Sequence, residues 1–204
     1  MLNRTKYFRK LCLSGSFLVG LISLSSTANA QFIGINADVA IDYSAAPGKV
    51  DGFSVGISHP TPFIPNIGYS SVSFKDKETI GSDNDTSSVL LETATTIKTI
   101  NLFYNVPFPV VTITVGFGLG GVETKTTIVE NVSDKGTSDF KDSVSEVFFH
   151  IGLPFWNTVE FHLGYHLMSF SSIDITKSVI LGGNYTTDKN YSGGMTTIGV
   201  QVAF

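Results

Sequence analysis

Two carboxyls and three imidazoles, from Glu146, His150, Glu160, His162 and His166, fall within 21 consecutive residues. These are ligand types for a divalent transition metal, and the same groups serve as general acids and bases. Spacing decides what they can do together. Glu146 and His150 are four apart, as are His162 and His166. Four residues of extended chain span about 13 Å, too far for one ion, so only side chains on neighbouring strands could chelate. The preferred reading is a hydrogen-bonded network filling an interior, with no metal, no cofactor and no catalytic residue expected.

Other candidates are weaker. Ser58 with His59, and His166 with Ser169, would suit a lipid-modifying enzyme. His59, however, adjoins Pro60 in a short turn, and alternation turns Ser169 away from His166. Neither imidazole then reaches the hydroxyl it would have to activate. Asp83, Asp85 and Ser87 open like a calcium loop, but Ser88 takes the place of the turn glycine and Ala94 that of the bidentate glutamate. The sequons at Asn84, Asn131, Asn184 and Asn190 would matter in a eukaryotic secretory pathway and otherwise read as loop composition.

The elements that must position these groups are strands. Val111, Ile113, Val115, Phe117 and Leu119 alternate with Thr112, Thr114, Gly116, Gly118 and Gly120, which sorts apolar from small or polar residues onto opposite faces. Ile33 to Ile41 alternates in the same way against Gly34, Asn36, Asp38, Ala40 and Asp42. So do Val159 to Leu167 and Ile198 to Phe204, with shorter versions around Val55, Leu102 and Phe149. Residues 66–75 alternate least clearly, because Ile67 and Tyr69 share one face while Val72 and Phe74 share the other. Eight strands result. Short proline-bearing turns at 59–66, 105–110 and 152–157 alternate with longer polar connections at about 43–50, 76–90, 122–141 and 172–191.

Charge and targeting narrow the setting. The 204 residues carry a net charge of −4, but beyond residue 30 there are nine lysines, no arginine and 17 acidic residues. Such a surface repels polyanions, so nucleic acid is not expected as a partner. Arg4, Lys6, Arg9 and Lys10 precede the apolar run LCLSGSFLVGLISL and the small residues Ala28 and Ala30. Residues 1–30 read as a cleaved secretory signal peptide. The single cysteine, Cys12, lies inside it, so the exported chain has neither a disulfide nor a thiol nucleophile.

An even number of strands, short turns at one end, long polar loops at the other and aromatic residues at the turns (Phe63, Phe108, Phe155, Trp156) describe an all-β, eight-stranded antiparallel up-and-down barrel spanning a membrane over residues 31–204. Lipid cannot hydrogen-bond a free sheet edge, so the sheet closes on itself. A soluble β-sandwich or lipocalin-like barrel also alternates, but its polar faces would carry more charge than these Gly, Thr and Ser sets do. A lysine at Val115 should therefore hinder insertion more than one at Thr114.

The terminal strand Gly199-Val200-Gln201-Val202-Ala203-Phe204 resembles the assembly signal of bacterial outer-membrane barrels. The turn Pro62 to Asn66, the stretch NLFYNVPFPVVTITVGFGLGG and the turn GLPFWN resemble a family of small Gram-negative outer-membrane barrels of unassigned function, built like the OmpA, OmpX and OmpW kind. That resemblance implies a location in the outer membrane, lipid and lipopolysaccharide around the barrel, and barrel-assembly machinery with periplasmic chaperones during biogenesis, with Phe204 as the recognised end. The chain departs from barrels whose lumen is filled by Arg–Glu networks. The leading expectation is a monomeric, non-enzymatic cell-envelope protein with a structural or surface-contact role. The alternatives are a narrow porin-like channel for small or apolar solutes, suggested by inward glycines such as Gly56, Gly116, Gly164 and Gly199, and a lipid-modifying enzyme.

Overall fold

The computed structural model describes residues 33–61, 63–81, 88–128, 137–156, 158–170, 173–176 and 186–204. The expected signal peptide and the calcium-like segment at 83–87 lie outside the described residues. Ten strands are present among them: β1 (Gly34–Tyr43), β2 (Val50–Ser58), β3 (Asn66–Gly81), β4 (Ser88–Pro107), β5 (Thr112–Ile128), β6 (Thr137–Trp156), β7 (Val159–Phe170), β8 (Ile173–Thr176), β9 (Thr186–Lys189) and β10 (Gly193–Ala203). Eight of them close an antiparallel barrel in the order β1-β10-β7-β6-β5-β4-β3-β2, and β8 pairs with β9 as a separate small sheet. That hairpin falls in the connection read from sequence as a polar loop.

The faces sort as hydrocarbon solvent requires. Val115, Phe117 and Leu119 on β5, Val147, Phe149 and Ile151 on β6, and Phe161, Leu163 and Leu167 on β7 are exposed, whereas Thr114, Glu146, His150 and His162 are buried. A water-soluble barrel places these sets the other way round. Phe63, Phe155 and Trp156 stand exposed at the short turns, where aromatic side chains mark the membrane interface. Phe204 is exposed too, and its N–H donates to the Ile33 carbonyl (2.8 Å) at the seam where the last strand meets the first.

Two features depart from the sequence reading. The register of β1 against β10 shifts between Ala40 and Asp42, and beyond this bulge Asp42 is exposed while Tyr43 is buried. Asp42 therefore does not share the inward face of Asp38, since one extra residue reverses the alternation. The connections at 76–90 and 122–141 are mostly strand: β3 runs to Gly81, β4 starts at Ser88, β5 runs to Ile128 and β6 starts at Thr137. These extensions have left the lipid, so their outward positions carry Lys75, Lys77, Glu92, Glu123 and Lys141 instead of apolar residues. Inward they carry threonines paired across strands, Thr93 with Thr126 (3.2 Å) and Thr95 with Thr124 (3.3 Å).

The interior has two layers. Toward the long-loop end Tyr43, Val72, Phe74, Ile97, Val122, Val144, Met168, Phe170, Tyr191 and Met195 pack into one apolar cluster. The Tyr43 hydroxyl donates to the Tyr191 carbonyl across it. Toward the short turns the lumen is polar. Inward glycines do not leave a void there: a methyl added at Gly116 would strike the Phe148 ring, one at Gly56 would strike Asn36 and Phe103, and one at Gly164 would strike His150 and Thr197. Each glycine accommodates a bulky neighbour that folds over it.

Candidate functional site

The polar layer is built where β6, β7, β10 and β1 run side by side. In the ladder His150 lies opposite Gly164 and His162 opposite Gly152. Gly199 of β10 lies opposite both His162 of β7 and Asp38 of β1. Imidazoles thus alternate with glycines along neighbouring strands, and their rings lean into the space above residues that lack a side chain. The ring centroids of His150 lie 5.0 Å from those of His166 and 5.9 Å from those of His162.

Glu146, His150, His162 and His166 are all buried and, with the half-buried Glu160, form two connected groups. In the first, His166 Nδ1 lies 2.5 Å from Glu146 Oε1, and His166 Nε2 lies 3.1 Å from His150 Nε2 and 3.3 Å from Thr197 Oγ1. Thr99 donates to the other oxygen of Glu146. In the second, His162 Nε2 lies 2.8 Å from Glu160 Oε1, while Thr112 donates to Glu160 Oε2 (2.5 Å). His162 Nδ1 faces Asp38 Oδ1 at 3.7 Å, and Ser54 donates to Asp38 Oδ2 (3.2 Å).

For neutral rings, the hydrogen-bond directions set the tautomers. A carboxylate only accepts, so His166 carries its proton on Nδ1 toward Glu146 and presents a lone pair at Nε2. His150 must then donate from Nε2, which leaves Nδ1 bare. By the same reasoning a neutral His162 donates from Nε2 to Glu160 and keeps a lone pair at Nδ1, whereas a protonated ring would pair with Asp38 there. Asp38 Oδ1, His150 Nδ1 and His162 Nδ1 are buried without any hydrogen-bond partner. One ligand atom from each of these three residues lies within 4.8 Å of the others, so among the described residues they form the group able to hold a metal.

Asp38, Thr99, Thr112 and Thr197 escaped the sequence reading as members of the site. Alternation places Asp38 on the inward face, but only barrel closure brings the first strand within one strand of β7. Thr197, His166 and Glu146 together have the hydroxyl–imidazole–carboxylate connectivity of a nucleophile relay. Thr197 and His166 are, however, at most 1% exposed, and His150 shares the same Nε2, so no substrate reaches the hydroxyl.

The candidates at the rim have other occupations. His59 accepts from the Thr61 N–H at Nδ1 (3.2 Å) and donates from Nε2 to the Pro65 carbonyl (3.3 Å), which makes it a clasp of the first short turn. Ser169 is exposed on the outward face of β7, while His166 points inward.

No family model matches the chain, and no curated protein matches it. Solved structures do. A major outer membrane protein from Thermus thermophilus is 7% identical over 84% of this chain and 98% of its own, with a TM-score of 0.51. This protein is an eight-stranded barrel of the outer-membrane type. Neisserial surface protein A is 14% identical over 84% of this chain and 96% of its own, with a TM-score of 0.48. OprG of Pseudomonas aeruginosa is also 14% identical, over 87% and 98%, with a TM-score of 0.48. At these identities the likeness concerns the fold, and the exposed apolar belt is the surface that such a fold turns to lipid. Function has to be argued from the interior and the rim.

Proposed function

We propose that the protein is a non-enzymatic, monomeric resident of the bacterial outer membrane, sealed to solutes, whose role is to hold its strand extensions and loops outside the lipid for structural or surface contact. What carries this reading is the occupied interior. The apolar cluster from Tyr43 to Met195 crosses the lumen at the loop end, and below it Phe103 and Phe148 pack at a centroid distance of 6.4 Å. Eight strands enclose a space that side chains can fill, and here they do. Outside the lipid, Lys75 and Lys77 flank Glu92, and Lys141 pairs with Glu123, giving a mixed-charge collar suited to lipopolysaccharide head groups and bridging cations. Lipid and lipopolysaccharide surround it, and the assembly machinery and chaperones act on it only during biogenesis.

Conductance of the folded barrel in planar bilayers, combined with membrane fractionation, tests the proposal. The expected result is outer-membrane recovery with a heat-dependent gel mobility and no steady conductance. A reproducible open level, or uptake of small sugars into liposomes carrying the protein, would overturn the sealed reading in favour of a channel.

A further inference from the structure

We propose that Asp38, His150 and His162 form an intrabarrel site for a divalent transition metal of the zinc type, with a remaining position for water or a fourth donor. Asp38 Oδ1, His150 Nδ1 and His162 Nδ1 are each buried without a hydrogen-bond partner, and one ligand atom from each of these residues lies within 4.8 Å of the others. Their residues are 1–2% exposed. Leaving such groups unsatisfied is costly. A proton placed on His162 Nδ1 would serve Asp38 but leave His150 Nδ1 bare. A cation serves all three.

Geometry and chemistry both fit. Two imidazoles and a carboxylate are a usual donor set for zinc and its neighbours in sites that keep one position open. Zinc-to-ligand bonds of about 2.1 Å in a tetrahedron put donors about 3.4 Å apart. Asp38 Oδ1 and His162 Nδ1 are already at 3.7 Å, and the whole set lies within 4.8 Å. Closure therefore takes about 1.5 Å at most, within reach of small rotations about the side-chain torsions.

The surrounding contacts are those that metal-binding imidazoles use. His162 donates its other nitrogen to Glu160, and His150 donates its own to His166, which is in turn held by Glu146. Such partners orient the ring and raise its basicity. Gly199 is what allows donors from β1 and β7 to meet across β10, because a methyl there would occupy the place of Asp38 Oδ1. Entry is from the short-turn end, where the Glu160 side chain remains 13% exposed, since the apolar cluster closes the other end.

The test is zinc binding to the folded, chelator-stripped barrel in detergent micelles. It is read by competition with a chromophoric chelator and by X-ray absorption at the zinc edge, with unheated gel mobility reporting fold. The expected result is one ion per barrel with two imidazoles in its shell. Asp38→Asn, His150→Gln and His162→Gln each lose that ion, Glu160→Gln weakens it about 10–100-fold, and His59→Ala leaves it unchanged. No binding by the native barrel, an all-oxygen shell, or binding that survives Asp38→Asn and His162→Gln would overturn the site. If a ligand variant fails to fold, the absorption spectrum of the native barrel decides on its own.

Discussion

Gly199→Ala tests the interior row most sharply. Gly199 separates Asp38 from His162 in the ladder, and its α-carbon faces the lumen between the inward Thr197 and Gln201. An added methyl would fall on Asp38 Oδ1 and on the Ala37 carbonyl oxygen, closer to each than a Cβ carbon ever comes. The carboxylate can swing away, but the carbonyl belongs to the β1–β10 ladder and moves only if the two strands part. Overpacking of this kind costs about 1–3 kcal/mol. Reduced freedom of the unfolded chain returns about 0.4–1 kcal/mol. The net loss of about 1–2 kcal/mol corresponds to a folding constant reduced about 5–30-fold. Gly48→Ala is the control, because nothing lies within 4 Å of a methyl there. Urea unfolding of both variants in lipid vesicles, followed by Trp156 fluorescence and unheated gel mobility, should separate them by that margin. If Gly199→Ala proves as stable as Gly48→Ala, Asp38 does not lean over Gly199, and the convergence of Asp38 with His162 fails with it.

Val115 faces lipid between Tyr104 and Phe149 on the flanking strands, so Val115→Lys should cost about 2–4 kcal/mol near the midplane while Val115→Leu is near neutral, read as the fraction that folds on dilution into vesicles. Thr114→Lys, which a roomy lumen would tolerate, should fail as well, because Thr114 is 2% exposed and its hydroxyl donates to Asn105; normal folding of that variant would contradict the packed interior. Outside the lipid, the hydrogen bond from Lys141 holds the Glu123 carboxyl below the usual carboxylate range and raises the Lys141 ammonium in return. The pair's contribution is therefore complete above the ordinary glutamate value and fades as pH falls through the lowered one. Carboxyl-resolved NMR titration should find Glu123 low in the native barrel and back in its ordinary range in Lys141→Met, and an unchanged titration would refute the pairing.

How much could be read from the sequence follows from which solvent each stretch meets. The stretch 111–120 alternates cleanly because one of its faces meets hydrocarbon and the other meets glycine-backed packing. Residues 66–75 alternate poorly for a physical reason: Ile67 faces lipid near the short turn, whereas Val72 and Phe74 have risen to the level of the apolar cluster and face inward. The apolar face changes side along a single strand, and a period-two template cannot represent that. The strand extensions read as loops because their outward face turns polar once lipid is left behind, while their inward face is mostly threonine with only scattered apolar residues such as Val122. Glu146, His150, Glu160, His162 and His166 could be gathered by parity alone, since they come from adjacent strands. Asp38 could not, because its proximity to them depends on closure through β10 and on the missing side chain of Gly199.

The absence of arginine beyond residue 30 bears directly on that cluster. A guanidinium brings five donors and no acceptor into a lumen, so an Arg–Glu network fills space and satisfies carboxylates with the same side chain. Here the lumen is filled by short imidazoles and carboxylates leaning over glycines. Each neutral imidazole brings one donor and one acceptor, and each carboxylate brings only acceptors. Thr99, Thr112 and Ser54 supply hydroxyl donors to Glu146, Glu160 and Asp38 and remove part of the excess. In the neutral rings of His150 and His162 the one donor of each is also used, and Asp38 Oδ1, His150 Nδ1 and His162 Nδ1 are among the buried atoms left without a partner. A barrel packed in this way has no guanidinium to satisfy its carboxylates. The proposed cation would satisfy the buried atoms of Asp38, His150 and His162 together, and a mixed nitrogen and oxygen donor set favours a metal of the zinc type.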